Sequence, residues 1–346
     1  MKSKSGVGAQ IWFAAIFFGL VGQVAWIVEN MYFATLAQDI FANSGRADMA
    51  YLVTTLMVIL SALTATATTV IAGGLCDRSG RRKPYIAFGY MAWGVTIMLF
   101  ALLPMRVEAG GVALTAALLI VFDCIMTVAG STSNDAAFNA WVTDSTTPAN
   151  RGRVDGVLAT LPLVSMLIVF GLLDGLTQRG DWELFFGIVG ATTAAVGVVA
   201  WFLVRDRRPL EWVADGYLAS LVHGLRPSTM RAHPRLYVTL LAVAILGVSS
   251  QVYLPYLIIY LQRFLRIDAY ALALGVVLIL ASALSVAAGR FIDRVGKVRA
   301  ILPLTALLLA GLVGMFLARG LVSVIVAGTV MMGGMLGAGA AAAATV

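Results

Sequence analysis

Long runs of apolar residues alternate with short polar stretches along the whole chain. The hydrocarbon layer of a bilayer is about 30 Å thick, so a helix needs about 20 mostly apolar residues to cross it. The apolar runs are continuous rather than alternating in polarity, which predicts helices and not the strands of a barrel. Ten such spans are predicted, near residues 11–37, 49–74, 84–104, 111–141, 155–176, 184–204, 235–262, 268–288, 300–318 and 320–344.

The longest polar stretch, residues 205–233, divides these spans into six and four. Within it, apolar residues recur at spacings of three and four, which places them on one helix face; they are Leu210, Val213, Tyr217 and Leu221. Such a helix fits the membrane surface or an ordinary connector packed on the bundle. The sequence therefore predicts an all-α polytopic membrane protein with a six-helix bundle in 1–204, a cytoplasmic linker with an amphipathic helix in 205–233, and an incomplete bundle of spans 7–10 in 234–346.

Composition and charge agree with this class of protein. Hydrophobic residues make up 60% of the chain and charged residues 12%, about half the charged share of a soluble protein. Two cysteines exclude a disulfide scaffold. If the N-terminus is cytoplasmic, 18 of the 24 Lys and Arg lie on the cytoplasmic side, as the positive-inside rule requires. We therefore expect a multi-pass protein of the cell (inner) membrane, and the net charge of +7 needs no nucleic-acid partner.

A short motif, G-x-x-x-D-R-x-G-[RK], occurs at 73–81 and again at 289–297, each time between the second and third spans of its half. In both copies we expect the first glycine to permit close helix approach, the aspartate to accept from amides at the start of the next helix, and the second glycine to reverse the chain. The alternative is a positive-inside loop with turn glycines. The predicted gating motif comprises Gly73, Asp77, Arg78, Gly80, Arg81 and Arg82, and then Gly289, Asp293, Arg294 and Gly296.

The first copy resembles the signature of the major facilitator superfamily, G-x-L-x-D-R-x-G-R-R/K, and the second copy has Phe291 in place of the leucine. The resemblance implies a two-bundle fold in which the bundles rock about a central site (alternating access). The family typically has twelve spans, whereas this chain stops at Val346 inside the tenth. We therefore expect a truncated sequence, with a genuine ten-span protein as the alternative.

Three acidic residues lie well inside predicted spans: Glu29, Asp123 and Asp135. An acid at the centre of the bilayer costs about 2.5–3.5 kcal/mol and is a functional candidate by default. On three of the spans, polar residues fall on one helix face and form a polar stripe. The stripes are Gln23, Trp26, Glu29 and Asn30 on the first span, Asp123, Thr127, Gly130 and Asn134 on the fourth beside Asp135, and Ser250, Tyr253, Tyr256 and Tyr260 on the seventh. The resemblance places the first and fourth spans around the central cavity. The alternative for the acids is an interhelical hydrogen bond, and for the tyrosines it is packing.

The predicted site would bind a small polar solute through amides, hydroxyls and carboxylates, with Trp26 stacking on a sugar ring and one carboxylate taking H⁺ or Na⁺. The stretch from Asn134 to Arg153 is similar to the loop after span four of glycoside–pentoside–hexuronide cation symporters, which implies a sugar or glycoside as solute. An exporter of amphipathic drugs or lipids on the same fold, and a non-transporting receptor or scaffold, remain alternatives.

Enzymatic and ATP-driven functions are disfavoured by the sequence. No phosphate-binding loop with a Walker lysine is present, and the only histidines, His223 and His233, lie in the linker. We expect no cofactor and no metal apart from the coupling ion. The expected partners are the solute and membrane lipid, and the chain is expected to act as a monomer.

Overall fold

Ten long helices form the fold in a computed structural model that describes residues 8–147, 150–206 and 227–343. Within these residues, each of the ten is long and apolar enough to cross a membrane. They are α1 (Ala9–Asn43), α2 (Ala47–Ser79), α3 (Lys83–Leu102), α4 (Val112–Ser145), α5 (Arg153–Gln178), α6 (Trp182–Leu203), α7 (Leu236–Phe264), α8 (Tyr270–Ile292), α9 (Lys297–Leu317) and α10 (Leu321–Ala342). The predicted number of spans is therefore confirmed.

Several helices extend beyond their predicted ends. Helix α1 continues to Asn43 and α2 to Ser79, which adds about a turn or more to each prediction. Hydropathy reports only the part of a helix that contacts hydrocarbon, whereas the helical hydrogen bonds continue into the polar turns on either side. These added turns bring charged residues of neighbouring loops close to one another.

Contacts between residues group the chain into two compact units, 1–214 and 215–346. The first contains α1–α6 and the second contains α7–α10. A short helix, Pro227–Ala232, precedes α7. The amphipathic helix predicted at 210–221 lies outside the described residues.

Small residues set the closest helix contacts in both units. In the first unit, α3 and α6 meet at Gly94 and Gly190, where an added Cβ would collide with the backbone of the opposite helix. In the second, α9 and α10 meet in the same way at Gly311 and Gly334. Small residues let backbones approach closely in membranes, where packing rather than the hydrophobic effect drives helix association.

Among the described residues, four helices contain π-helical segments, which are rare in proteins and occur frequently at functional sites. They are Val28–Tyr32 in α1, Ser131–Phe138 in α4, Val169–Leu173 in α5 and Tyr260–Phe264 in α7. Four of the predicted site residues lie inside the segments of α1 and α4; they are Glu29, Asn30, Asn134 and Asp135. These two segments therefore position the candidate site.

Candidate functional site

The polar stripes of α1 and α4 meet each other, one turn at a time. The hydroxyl of Thr127 lies 3.2 Å from Oε1 of Glu29 and 2.8 Å from the carbonyl oxygen of Asp123. One turn further along α4, Gly130 lies against Trp26: an added Cβ there would come within 3.0 Å of the indole. The fourth-span stripe is thus held against the first-span stripe across the α1–α4 contact.

The two carboxyl groups of this contact are enclosed by protein. Asp123 is only 1% exposed. The negative charges of Asp123 and Asp135 repel a negative charge on Glu29. Oε2 of Glu29 and Oδ1 of Asp123 are buried and have no hydrogen-bond partner among the described residues. Neighbouring carboxylates in a medium of low dielectric constant oppose one another's ionisation, so this pair is suited to hold a proton or a monovalent cation.

A second polar cluster joins α1, α3 and α4 near Asn134. The hydroxyl of Tyr90 lies 2.9 Å from Oδ1 of Asn134 and 2.9 Å from the carbonyl oxygen of Phe18. Nδ2 of Asn134 donates to Oδ1 of Asp135 at 3.3 Å. A Cβ at Gly22 would lie 2.7 Å from both the Tyr90 and Asn134 oxygens. A glycine at this position is what allows the cluster to reach α1.

The predicted residues differ in how accessible they are. Asp123 and Asn134 are buried in the α1–α4 contact, so neither side chain is open to a molecule from outside. The remaining first-unit candidates are half-buried and keep part of their surface open; they are Gln23, Trp26, Glu29, Asn30 and Asp135.

Asn30 and Trp26 are engaged within the protein, as Glu29 and Asp135 are. Asn30 donates from Nδ2 to the carbonyl oxygen of Trp26 at 2.8 Å. The Trp26 ring contacts Trp93, with 4.9 Å between ring centroids, and its indole interacts with Asp135. One side of Trp26 is therefore fixed by the protein, which orients its ring.

The tyrosine face of α7 lies in the second unit and packs there. The Tyr253 hydroxyl lies 3.0 Å from the sulfur of Met335 in α10, and Tyr260 donates to the carbonyl oxygen of Met315 in α9 at 2.9 Å. Tyr256 is half-buried on the same helix. The side chain of Ser250 lies outside the described part. These contacts favour the packing interpretation for Tyr253 and Tyr260.

The loop of the first gating motif is built around Arg82, which is 6% exposed. Its Nη1 lies 2.7 Å from Oδ1 of Asp77, and its Nε donates to Oδ2 of Asp144 at 3.0 Å. Burial disfavours the charged guanidinium, but hydrogen bonds with Cys76, Asp144 and Asp77 outweigh this and raise the pKa of Arg82 above its usual value. A permanent cation thus ties the ends of α2, α3 and α4 together.

The prediction that Asp77 accepts the amides at the start of α3 is wrong. Oδ1 of Asp206, which follows α6, accepts from the backbone N–H groups of Arg82 and Lys83 at 2.7 and 2.9 Å. Asp77 instead forms the ion pair with Arg82. Asp77 lies on the last turns of α2 itself, whereas Asp206 arrives from a different helix and reaches the amides directly.

The glycine predictions had mixed outcomes. The chain reversals at Gly80 and Gly296 are confirmed, because φ is +60° and +95° there, values that favour glycine. The close helix approach at Gly73 and Gly289 is not found within either unit: an added Cβ would meet no heavy atom within 4 Å among the described residues. Three other predicted motif residues are exposed; they are Arg78, Arg81 and Arg294. The side chain of Asp293 lies outside the described part.

Two acids that hold other parts of the fold, one buried and one half-buried, were missed by the sequence analysis. Asp174 in α5 is fully buried; it accepts from the Tyr32 hydroxyl at 2.8 Å and from Nε2 of Gln178 at 2.5 Å. Asp39 near the end of α1 accepts from the indole N–H of Trp182 at 3.2 Å. Both lie at the polar ends of apolar runs, where the sequence does not distinguish an acid inside the helix from an acid in the following loop. The position of Asp174 four residues before Gln178 is the signal that a helical turn continues there.

Comparison with known proteins identifies the fold. The sequence profile of the Major Facilitator Superfamily matches residues 10–346. No curated protein matches the sequence at a significant level. Among solved structures, a D-xylose-proton symporter is 15% identical, with a TM-score of 0.66 over 94% of this chain and 80% of its own. The nucleoside transporter NupG is 12% identical, with a TM-score of 0.68 over 96% and 81%.

A third similar structure is a bacterial homolog of the human lysosomal transporter Spinster, in an inward-facing and unoccupied conformation. It is 16% identical, with a TM-score of 0.63 over 98% of this chain and 76% of its own. At these identities the structural likeness concerns the fold alone.

Proposed function

The chain belongs to the Major Facilitator Superfamily, so it is a multi-pass membrane transporter and not an enzyme, and on this premise we propose that it moves a small polar solute of the sugar or glycoside class by alternating access, coupled to the movement of a proton. The proposed coupling site is the pair Glu29 and Asp123, and the proposed solute contacts are the half-buried groups beside it. We also propose that the transporter is related to the glycoside–pentoside–hexuronide cation symporters.

The two oxygen contacts of the Thr127 hydroxyl are the observation that favours a proton as the coupling ion. The hydroxyl lies within hydrogen-bond distance of Oε1 of Glu29 and of the Asp123 carbonyl oxygen, which can only accept. A hydroxyl donates one hydrogen. Both contacts are separate two-centre hydrogen bonds when Glu29 carries a proton and donates it to the Thr127 oxygen; the alternative is one Thr127 hydrogen shared between two acceptors. Na⁺ is the alternative ion, and its ligands would be the two unpartnered carboxyl oxygens of Glu29 and Asp123.

The surroundings of Glu29 support a polar solute. Gln23 and Asn30 present amides, Asp135 presents a carboxylate, and Trp26 presents an aromatic ring, all on half-buried side chains. A ligand site that places a few polar groups beside an aromatic surface is typical of small-molecule recognition. One of the similar structures is a D-xylose-proton symporter, which is consistent with this class of solute. A sugar offers these polar groups more hydrogen-bonding partners than an amphipathic compound does, which favours the sugar class.

We further propose that the transporter functions as a monomer in the inner membrane, with its N-terminus in the cytoplasm. The distribution of lysine and arginine supports this orientation.

The experiment is solute-triggered current in proteoliposomes on a solid-supported membrane. Glycosides, pentoses and uronic acids are applied across a range of pH, with and without Na⁺. The proposal predicts a current that depends on pH and not on Na⁺, and that is lost in Glu29→Gln and Asp123→Asn. Asp39→Asn is the matched control, because it also removes an acid from α1 but lies beside Trp182, and it should retain the current.

Three results would contradict the proposal. Current that requires Na⁺ at every pH would replace the proton with Na⁺. A full solute current in both carboxyl variants would remove the coupling site. No current with any solute in folded protein would remove the sugar class.

A further inference from the structure

A groove on the first unit runs from the loop after α2 down to the π-helical segment of α4. It has a volume of about 540 Å³ and is lined by Ser79 and Arg81 at one end and by Pro84, Tyr85, Phe88, Gly89 and Thr132 along its length. This volume lies within the range of small-molecule pockets, roughly 300–1,000 Å³. None of these residues takes part in the proposed coupling site.

Close packing of α3 on α4 produces the floor of the groove. A Cβ at Gly89 would lie 2.5 Å from the Cβ of Ser133 and 3.2 Å from its Cα. The absence of a side chain at Gly89 therefore lets the helices touch and leaves a depression beside the contact. Gly89 lies six residues after Lys83, the first residue of α3, so the groove descends about 9 Å along the helix axis.

The two ends of the groove differ in chemistry. At the loop end, Arg81 is exposed and forms no ion pair with the described residues. The adjacent Arg82, by contrast, is buried and paired with two carboxylates. The amides at the start of α3 are already taken by Asp206, so Arg81 is the group left to receive an anion.

Along its length the groove is apolar. Phe88 is 58% exposed, and its ring lies 5.3 Å from that of Trp201 in α6, which is 40% exposed. Both aromatic rings lie on membrane-spanning helices within about two turns of the charged loop. A ligand with a charged group and a hydrocarbon chain would match both ends at once.

We propose that this groove binds an anionic phospholipid from the surrounding bilayer, with the phosphate at Arg81 and an acyl chain along Pro84, Phe88 and Gly89. The proposal takes from the proposed orientation that this loop lies on the cytoplasmic side, where anionic headgroups attract basic residues near the surface. The proposal rests on the chain being a membrane transporter and does not depend on the coupling ion or the solute.

Native mass spectrometry of the purified full chain tests the site. The protein is titrated with phosphatidylglycerol and phosphatidylcholine of identical acyl chains, and bound lipid is counted. Wild type should retain phosphatidylglycerol preferentially. Arg81→Gln should reduce that preference about tenfold, because it removes the charge-assisted hydrogen bond to the phosphate, and Arg81→Lys should retain most of it. Arg78→Gln, which removes an exposed charge from the same loop outside the groove, is the matched control and should leave the preference unchanged.

A second variant tests the hydrocarbon part of the groove. Phe88→Ala should weaken retention of both lipids, because the acyl chain loses its apolar contact. Equal binding of the two lipids to wild type, or equal effects of Arg78→Gln and Arg81→Gln, would overturn the proposal. Displacement of phosphatidylglycerol by inorganic phosphate, with no effect of Phe88→Ala, would mean a simple anion site and would also overturn it.

Discussion

Replacing Thr127 by valine tests which group donates the hydrogen between α1 and α4. Valine has nearly the shape of threonine but lacks the hydroxyl, and Thr127 is 1% exposed, so the change removes hydrogen bonding with little change of volume. The lost contacts are the 3.2 Å hydrogen bond to Glu29 and the 2.8 Å hydrogen bond to the Asp123 carbonyl oxygen, and only the first involves a group that titrates. A hydrogen bond of this kind contributes about 1 kcal/mol to the state that makes it.

The sign of the effect depends on the direction of donation. If protonated Glu29 donates to Thr127, valine removes stabilisation from the protonated form, and the pH midpoint of transport moves down by roughly 0.7 unit, since about 1.36 kcal/mol corresponds to one unit. If Thr127 donates to an ionised Glu29, valine weakens the ionised form and the midpoint moves up. The proposed coupling mechanism requires the downward shift.

The assay is solute-triggered current measured from acidic to alkaline pH, in wild type, Thr127→Val and Thr127→Ser. Serine retains the hydroxyl and should keep the wild-type midpoint. An upward shift in Thr127→Val would refute the donation by Glu29, as would identical midpoints in all three proteins.

Three further predictions concern stability and are checked by thermal unfolding in detergent. Gly22→Ala should destabilise the first unit by about 1–3 kcal/mol through overpacking, because the added carbon would collide with the Tyr90–Asn134 cluster; Gly175→Ala, with open space around its Cβ, should not, and equal effects would refute the packing argument. Arg82→Gln should lower the unfolding temperature more than Arg81→Gln, because only the first removes a buried, doubly paired charge; the reverse order would contradict it. Tyr32→Phe should cost about 1–3 kcal/mol by taking one donor from a buried carboxylate, and a neutral result would mean that this bond is not formed.

The number and type of helices were predictable from the sequence because the bilayer imposes a length on each apolar run. The π-helical segments were not, since one additional residue in a turn does not alter the average hydropathy around Glu29 or Asn134. Helical periodicity predicts that each polar stripe lies on one face of its helix. Which hydroxyl contacts which carboxyl group depends on the close helix approach permitted at Gly22 and Gly130.

The loop after α2 shows a different limit. The turn at Gly80 could be predicted because the required backbone conformation is local to the motif. The partners of Arg82 could not, because Asp144 and Asp206 lie 62 and 124 residues away along the chain. Asp77 was assigned to the amides because it is near them in sequence, whereas Asp206 is the acid that is near them in space.

Infrared spectroscopy of the protonated carboxyl group tests the central claim most directly. The account predicts that the wild-type protein shows a carboxylic-acid C=O band at neutral pH, that the band disappears in Glu29→Gln, and that Asp39→Asn leaves it unchanged. Addition of Na⁺ should not alter it. A wild-type spectrum without this band at neutral pH, or a band that Na⁺ abolishes, would contradict a proton held at Glu29.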